Sequence, residues 1–259
     1  MNFPVNGKED TVKILVTVKR VTDADSIIEI KPDGSGIDLS GIQFTINPFD
    51  EIAVEEGVRI REAHGGTLTV VSIGSENCQN EIRRALAMGA DRGILITAPG
   101  ELDSDTAARI LVKVVEKEQP DIILMGKQAI DLDDNQVAQL LAEYLRWGQA
   151  CFATRIELTG NKVVVDREVD GGIEVVEIIL PCVISAELRL NKPRHIPLPA
   201  IFKANKKQID MFSVSELDID TAPKVIVQNL EVPAKPKLCY ILETVSDLLE
   251  VLKKNGITT

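Results

Sequence analysis

Asp121-Ile122-Ile123-Leu124-Met125-Gly126-Lys127-Gln128-Ala129-Ile130-Asp131-Leu132-Asp133-Asp134-Asn135-Gln136-Val137 changes character twice within one short stretch. It opens on a continuous apolar run, too short for a helix and containing β-branched residues, which is how a strand buried on both faces reads. It then turns polar. From Val137 the apolar residues Val137, Leu140, Leu141, Tyr144 and Leu145 fall at i, i+3, i+4, i+7 and i+8, one stripe on a helix entered through Asp133, Asp134 and Asn135. A strand, a polar crossover and a helix in that order form the unit of an open α/β sheet, where ligands bind outside the carboxyl ends of the strands. The stretch 126–137 therefore reads both as a ligand cradle, with helix N–H groups and a positive dipole end for a phosphate, and as a plain polar connection.

The same alternation extends towards the N-terminus. Apolar runs at 12–18, 67–73 and 93–97 join 121–125 as strands, each followed by a loop and a helix. The first helix has a legible start: Asn47 as N-cap, Pro48 at the first helical position and Asp50 at N3, where its carboxylate meets the positive helix end. It is expected over 48–63. A second helix follows Ser75 and stops at Gly89, and a third covers 104–118. After Gly148 the pattern changes to alternating runs at 152–158, 163–169 and 173–180, separated by turns at 159–161 and 170–172, which read as antiparallel hairpins. From Asn191 prolines recur at 193, 197, 199, 223, 233 and 236, so 191–237 is expected to be an extended arm with little sheet of its own, followed by an amphipathic helix over 246–254. An arm of that length lies on something else, the body of the chain or another subunit. The fold class is then α/β: a Rossmann-like open, mainly parallel sheet extended by antiparallel strands, with an extended C-terminal arm. The expected divisions are a flexible tail 1–10, an α/β domain 11–190, a segment 191–207 and an arm 208–259.

Composition narrows the function. The 259 residues are 44% hydrophobic and 27% charged, which is ordinary for a globular chain. Only 3% are aromatic and the net charge is −11, whereas a single-strand nucleic-acid binder needs stacking platforms and a basic groove. No apolar stretch approaches the roughly 20 residues of a membrane span, and the first ten residues lack a signal or transit character, which points to a cytoplasmic protein. Cys78, Cys151, Cys182 and Cys239 are widely spaced and only His64 and His195 supply imidazoles, so no metal centre is expected. There is no P-loop, and Gly34-Ser35-Gly36 lacks the third glycine and the strand-to-helix context of a dinucleotide fingerprint. No nucleophile set is apparent. Asp131, Asp133 and Asp134 would repel a phosphate unless they face away, cap the helix or hold ribose hydroxyls; without a second carboxylate cluster they do not make a magnesium site. Lys127 is read as a phosphate or helix-cap contact.

Six segments, taken together, resemble a known family: VKRVTD (18–23), NPFDEIAVEEGVRIRE (47–62), ALAMGADRGI (85–94), GKQAIDLDDNQ (126–136), DREVDGGIE (166–174) and LPCVISAELRLNKPR (180–194). In this order they are similar to the β subunits of electron transfer flavoproteins, with the similarity running from about residue 12 to about residue 207. The resemblance implies an electron carrier rather than an enzyme. It implies a heterodimer whose α subunit holds most of the FAD while this chain holds a structural AMP. Electrons would enter from acyl-CoA dehydrogenases of fatty acid β-oxidation and related enzymes, and leave to a membrane quinone oxidoreductase. The AMP pocket implied by motif comprises Thr17, Asn47, Pro48, Phe49, Asp50, Ile73, Gly126, Lys127, Gln128, Ala129, Ile130, Asp131, Leu132, Asp133, Asp134, Asn135, Gln136 and Val137, with Phe49 also at the FAD interface. A second aromatic flavin contact used in the family falls on Ala24 here. Partner recognition falls on Leu198, Pro199, Ile201, Phe202 and Lys203, amid Arg194, Lys206 and Lys207; Lys203 and Lys206 match lysines methylated in some members. Glu168 and Asp170 are implied as contacts to the mobile flavin domain of the α subunit. The compartment would be the bacterial cytoplasm, or the mitochondrial matrix in a eukaryote. Two other readings are a bifurcating β subunit with a second FAD, against which bulky Leu132 and a loop without glycine count, and a stand-alone adenine-nucleotide-binding protein.

Overall fold

The computed structural model of the chain describes residues 11–100, 102–232 and 241–257. The expected tail 1–10, Pro233, Pro236 and Cys239 lie outside them. The chain divides into two compact units, Met1–Ile27 with Ser40–Ile226, and Ile28–Leu39 with Val227–Thr259.

In the larger unit the strands are β1 (Lys13–Thr17), β2 (Arg20–Thr22), β3 (Phe44–Ile46), β4 (Thr67–Gly74), β5 (Arg92–Thr97), β6 (Ile122–Gly126), β7 (Gly148–Thr159), β8 (Lys162–Val169), β9 (Gly172–Ile179), β10 (Cys182–Ala186) and β11 (Ile209–Ser213). Nine of them make one sheet in the order β11-β5-β4-β1-β6-β10-β7-β8-β9, and β2 and β3 form a separate antiparallel ribbon. From β11 to β7 every neighbour is parallel; β7, β8 and β9 pair antiparallel. The apolar runs are continuous because both faces are covered. Ile14, Val16, Ile122 and Leu124 enter one core with helices α1 (Pro48–His64) and α2 (Gln79–Met88). Leu15, Ile123 and Met125, one residue out of phase, enter the other with α3 (Ser104–Glu118) and α4 (Val137–Leu145). The hairpin glycines Gly160 and Gly171 take φ of 58° and 87°, the positive values that tight turns require.

Three features depart from the sequence expectation. β10 is a fully buried strand inserted between β6 and β7, so the chain leaves the antiparallel edge and returns to the centre of the sheet. The segment 191–213 is not an extended arm: it holds helix α5 (Leu198–Ala204) and β11, which closes the far edge of the sheet on β5. Proline keeps to the connections, with Pro199 in the first turn of α5, where its missing N–H costs nothing. Finally, α4 starts at Val137 and Gln136 at its N-cap makes no side-chain cap; Asp133 and Asn135 instead take left-handed φ of 53° and 49° in the loop.

The smaller unit contains the Ile30–Ile37 bridge, a bond from Leu230 N–H to Gly34 O, and helix α6 (Val245–Lys254). α6 opens on a capping box in which Thr244 and Asp247 exchange side-chain-to-backbone bonds. None of its residues is buried, and Val245, Leu248 and Leu249 are exposed.

Candidate functional site

The carboxyl ends of β1 and β6 converge on the N-terminus of α1. Asp50, in the first turn of α1, accepts hydrogen bonds from Lys19 N–H (2.8 Å), just past β1, and from Gly126 N–H (2.9 Å), the last residue of β6. One buried carboxylate therefore ties two strand ends to one helix. The contact depends on Gly126: a Cβ there would stand 2.5 Å from Asp50 Oδ1 and 2.6 Å from Phe49 Cβ.

Asn47 corrects the expectation that its side chain caps α1. It makes no cap bond; its amide reaches across to the loop, with Nδ2 donating to Gln128 O at 2.8 Å and Oδ1 accepting from Ile130 N–H at 3.3 Å. At 1% exposure this amide is a buried two-point clamp on the first turn of the 126–137 loop. The three loop aspartates are each engaged within the chain: Asp131 pairs with Lys19 Nζ (2.7 Å), Asp133 accepts from Gln128 Nε2 (2.7 Å) and Asp134 accepts from Ser104 Oγ (3.0 Å). Asn135 Oδ1 accepts from Gln139 Nε2, while the buried Gln139 Oε1 has no partner. Leu132 is 51% exposed. The loop is thus held at its base by Asn47 and Asp50 and at its far end by Asp134, with the N-terminus of α4 left free of a side-chain cap.

Lys127 is neither a cap nor an unpaired cation. Its Nζ pairs with Glu187 at 2.7 Å and lies 5.1 Å and 5.4 Å from the ring centroids of Phe49 and Phe152, a cation enclosed by two aromatic rings and a carboxylate. Phe152 takes φ of 64° beside the irregular β7–β10 register, where Ser185 Oγ accepts its N–H. Lys19, Glu187 and Phe152 are absent from the sequence-derived set. Glu187 directly follows β10, so the rule that selects strand ends finds it once β10 is recognised. Thr17 ends β1 and Ile73 is the penultimate residue of β4, both partly buried. Among the described residues, no group of three His, Cys, Asp or Glu side chains is placed to hold a metal ion.

Burial raises the Asp50 carboxyl to about 7, against the two backbone N–H groups and nearby Asn47 and Lys19, which favour the charged form. An unfolded Asp50 ionises near 3.8, so between that pH and about 7 the folded chain holds the extra proton and stability falls as pH rises. The urea midpoint is expected to drop between pH 5 and pH 8, and Asp50→Asn, though less stable overall, is expected to show a smaller drop. An equal drop in both proteins would assign the pH dependence to other groups.

The second candidate region is distinct. Leu198, Ile201 and Phe202 project from α5 at 64%, 42% and 62% exposure, with Pro199 in the first turn and Lys203 and Lys206 exposed beside them. Lys207 is partly buried and donates to Ala90 O. Arg194 forks onto Glu55 and Glu62 of α1. Glu168 is held by Arg189 in an exposed ion pair, and Asp170 lies in the β8–β9 turn.

Residues 36–217 match the family of the electron transfer flavoprotein domain. The chain is 45% identical over 246 residues to the electron transfer flavoprotein subunit beta of Bradyrhizobium diazoefficiens, covering 95% of this chain and 99% of that one. Identity to the subunit beta of Mus musculus is 45% over 250 residues (95% and 98%), and to the mitochondrial subunit beta of Arabidopsis thaliana 42% over 248 residues (95% and 99%).

Proposed function

The chain belongs to the electron transfer flavoprotein family as a β subunit, and on that premise we propose that it holds a structural AMP and docks electron-donating dehydrogenases. Its α-subunit partner carries most of the FAD. When bound, FAD supplies the electron-transfer chemistry; the residues of this chain bind, orient and shield. Donors are acyl-CoA dehydrogenases and related enzymes, and the acceptor is a membrane quinone oxidoreductase.

The observation that carries the AMP reading is the clamp of Asn47 and Asp50 on the 126–130 turn, which presents a preformed loop beside the uncapped start of α4. The free N–H groups of that helix suit a phosphate. The loop aspartates are compatible with an anion because each already has a partner in the chain. Gln139 Oε1 adds an unpaired acceptor for an adenosine hydroxyl or amino group. Lys127, neutralised by Glu187, serves the loop's position more than phosphate charge. Phe49 is 7% exposed, so it offers a flavin little surface.

The apolar patch of α5 is the docking site for the dehydrogenase, Leu198 its anchor. Glu168, held only by an exposed ion pair, exchanges cheaply to the α subunit's mobile flavin domain. The unburied apolar side of α6 belongs against the α subunit. No described helix is long and apolar enough to cross a membrane, and the proposed compartment is the bacterial cytoplasm or, in a eukaryote, the mitochondrial matrix.

The test is to co-purify this chain with its α subunit, release bound small molecules with acid and quantify them by chromatography. One AMP and one FAD per heterodimer are expected. Two FAD and no AMP would replace this reading with a bifurcating subunit, and absence of AMP alone would remove the nucleotide role.

A further inference from the structure

Helix α5 spans only Leu198–Ala204, too short to be stable by itself. Of its side chains only Ala204 is buried, in the core that α2 also enters, while Leu198, Ile201 and Phe202 are exposed. The rest of its anchorage is polar and lies at or before its two ends. Upstream, Asn191 Nδ2 donates to Ile52 O (3.0 Å) and Glu56 Oε2 (2.9 Å), and Arg194 binds the buried Glu55 and the exposed Glu62, so α1 fixes the entry. Downstream, Arg83 of α2 donates through Nη1 to Ala204 O (2.7 Å) and Lys207 O. Ala204 O also accepts from Lys207 N–H (3.1 Å), so the guanidinium adds a second bond to that carbonyl, a partner for Lys207 O and a favourable charge at the negative helix end.

We propose that Arg83 is a positioning residue for dehydrogenase docking: it clamps the C-terminal end of α5 so that the helix is preordered with its apolar side chains free. The inference rests on the docking reading above and extends it to a residue on a different helix, outside the recognition segment. A partner that binds an already ordered α5 does not bear the cost of ordering it. Removal of the clamp lowers the fraction of chains with α5 in place, and apparent affinity falls by that fraction. Arg83 is not a catalytic residue, so the turnover number at saturating carrier is unaffected.

The experiment uses the intact α/β heterodimer carrying Arg83→Met, with Leu198→Ala in parallel and a reduced acyl-CoA dehydrogenase as electron donor. For Arg83→Met, the KM for the carrier is expected to rise about tenfold if a nearly always ordered α5 is then ordered about one tenth of the time, and amide hydrogen exchange over 205–207 to speed up at least about tenfold. AMP and FAD content, exchange elsewhere and kcat should remain as in the wild type. Unchanged exchange over 205–207, whose amides donate to the last carbonyls of α5, or faster exchange with an unchanged KM while Leu198→Ala raises it, would overturn the clamp. An unchanged KM in Leu198→Ala would overturn the docking reading itself, whatever Arg83→Met shows. Should Arg83→Met fail to fold, Arg83→Gln decides: its amide nitrogen ends two bonds short of Nη1, the atom that makes both contacts, and wild-type exchange and KM in it would likewise overturn the proposal.

Discussion

Gly126→Ala is expected to lower stability by about 3 kcal/mol and to strip the heterodimer of the AMP proposed above. The position has no left-handed backbone to explain its glycine; the reason is proximity. An added Cβ would meet Asp50 Oδ1 at 2.5 Å, Phe49 Cβ at 2.6 Å and Asp50 N at 2.9 Å. Two of these atoms belong to the first turn of α1 near its backbone, in a region where Phe49 and Asp50 are both buried, so neither can swing aside as a surface side chain would. Relief requires α1 to back away from β6, which breaks the Gly126–Asp50 hydrogen bond and leaves a buried carboxylate with one backbone donor instead of two. The same movement displaces Lys127 and the turn that follows. Urea unfolding and acid-released AMP measure the two effects together. A variant that retains AMP with a wild-type midpoint would mean that the loop does not depend on its contact with α1.

Asn47→Ala is expected to cost about 2–4 kcal/mol, because it leaves Gln128 O and Ile130 N–H without their buried partner. The more decisive substitution is Asn47→Asp. Aspartate is as good an N-cap as asparagine, so a capping role would tolerate it. A clamp that must donate to Gln128 O and accept from Ile130 N–H does not tolerate it, since a carboxylate has no donor and would add negative charge beside Asp50. Asn47→Asp is therefore expected to lose AMP as Asn47→Ala does and to unfold at lower urea than the wild type at pH 8. Wild-type AMP content in Asn47→Asp would restore the capping role and remove the clamp from the argument.

On the proposed AMP reading, these two positions underlie a loop that is presented to the nucleotide without charge to spare. Each loop aspartate and Lys127 is matched by a partner in the chain, Lys19, Ser104 and Glu187 from outside the loop and Gln128 from within it. The binding turn is consequently built as part of the strand ends, and substitutions beneath it are expected to act on nucleotide retention and stability together.

The local signals in the sequence were strong where the physics is local. Continuous apolar runs and period-3.6 apolar stripes locate β1, β4, β5, β6 and the helices α1, α3 and α4 closely, because burial on both faces of a parallel sheet demands continuous apolar strands and striped helices. The six ordered motifs carried the family, and the strand-end rule singled out the 126–137 loop. What a linear reading missed are pairings between distant segments. β10 resembles the end of a hairpin until its partners β6 and β7 are known, and β11 reads as part of a proline-rich arm until β5 is seen to complete it. Asn47 has the composition of a cap in either role; only the proximity of Gln128 and Ile130, far along the chain, turns its amide away from α1. Glu187 beside Lys127 and Arg83 beneath α5 likewise follow from where the sheet and helices bring them. The sequence by itself determined the element types, the class of sheet and the family, since these depend on burial patterns and motifs along the chain. The tertiary structure alone decided which polar groups meet, because a hydrogen bond depends on distance in space and the sequence separation of its partners leaves no local trace.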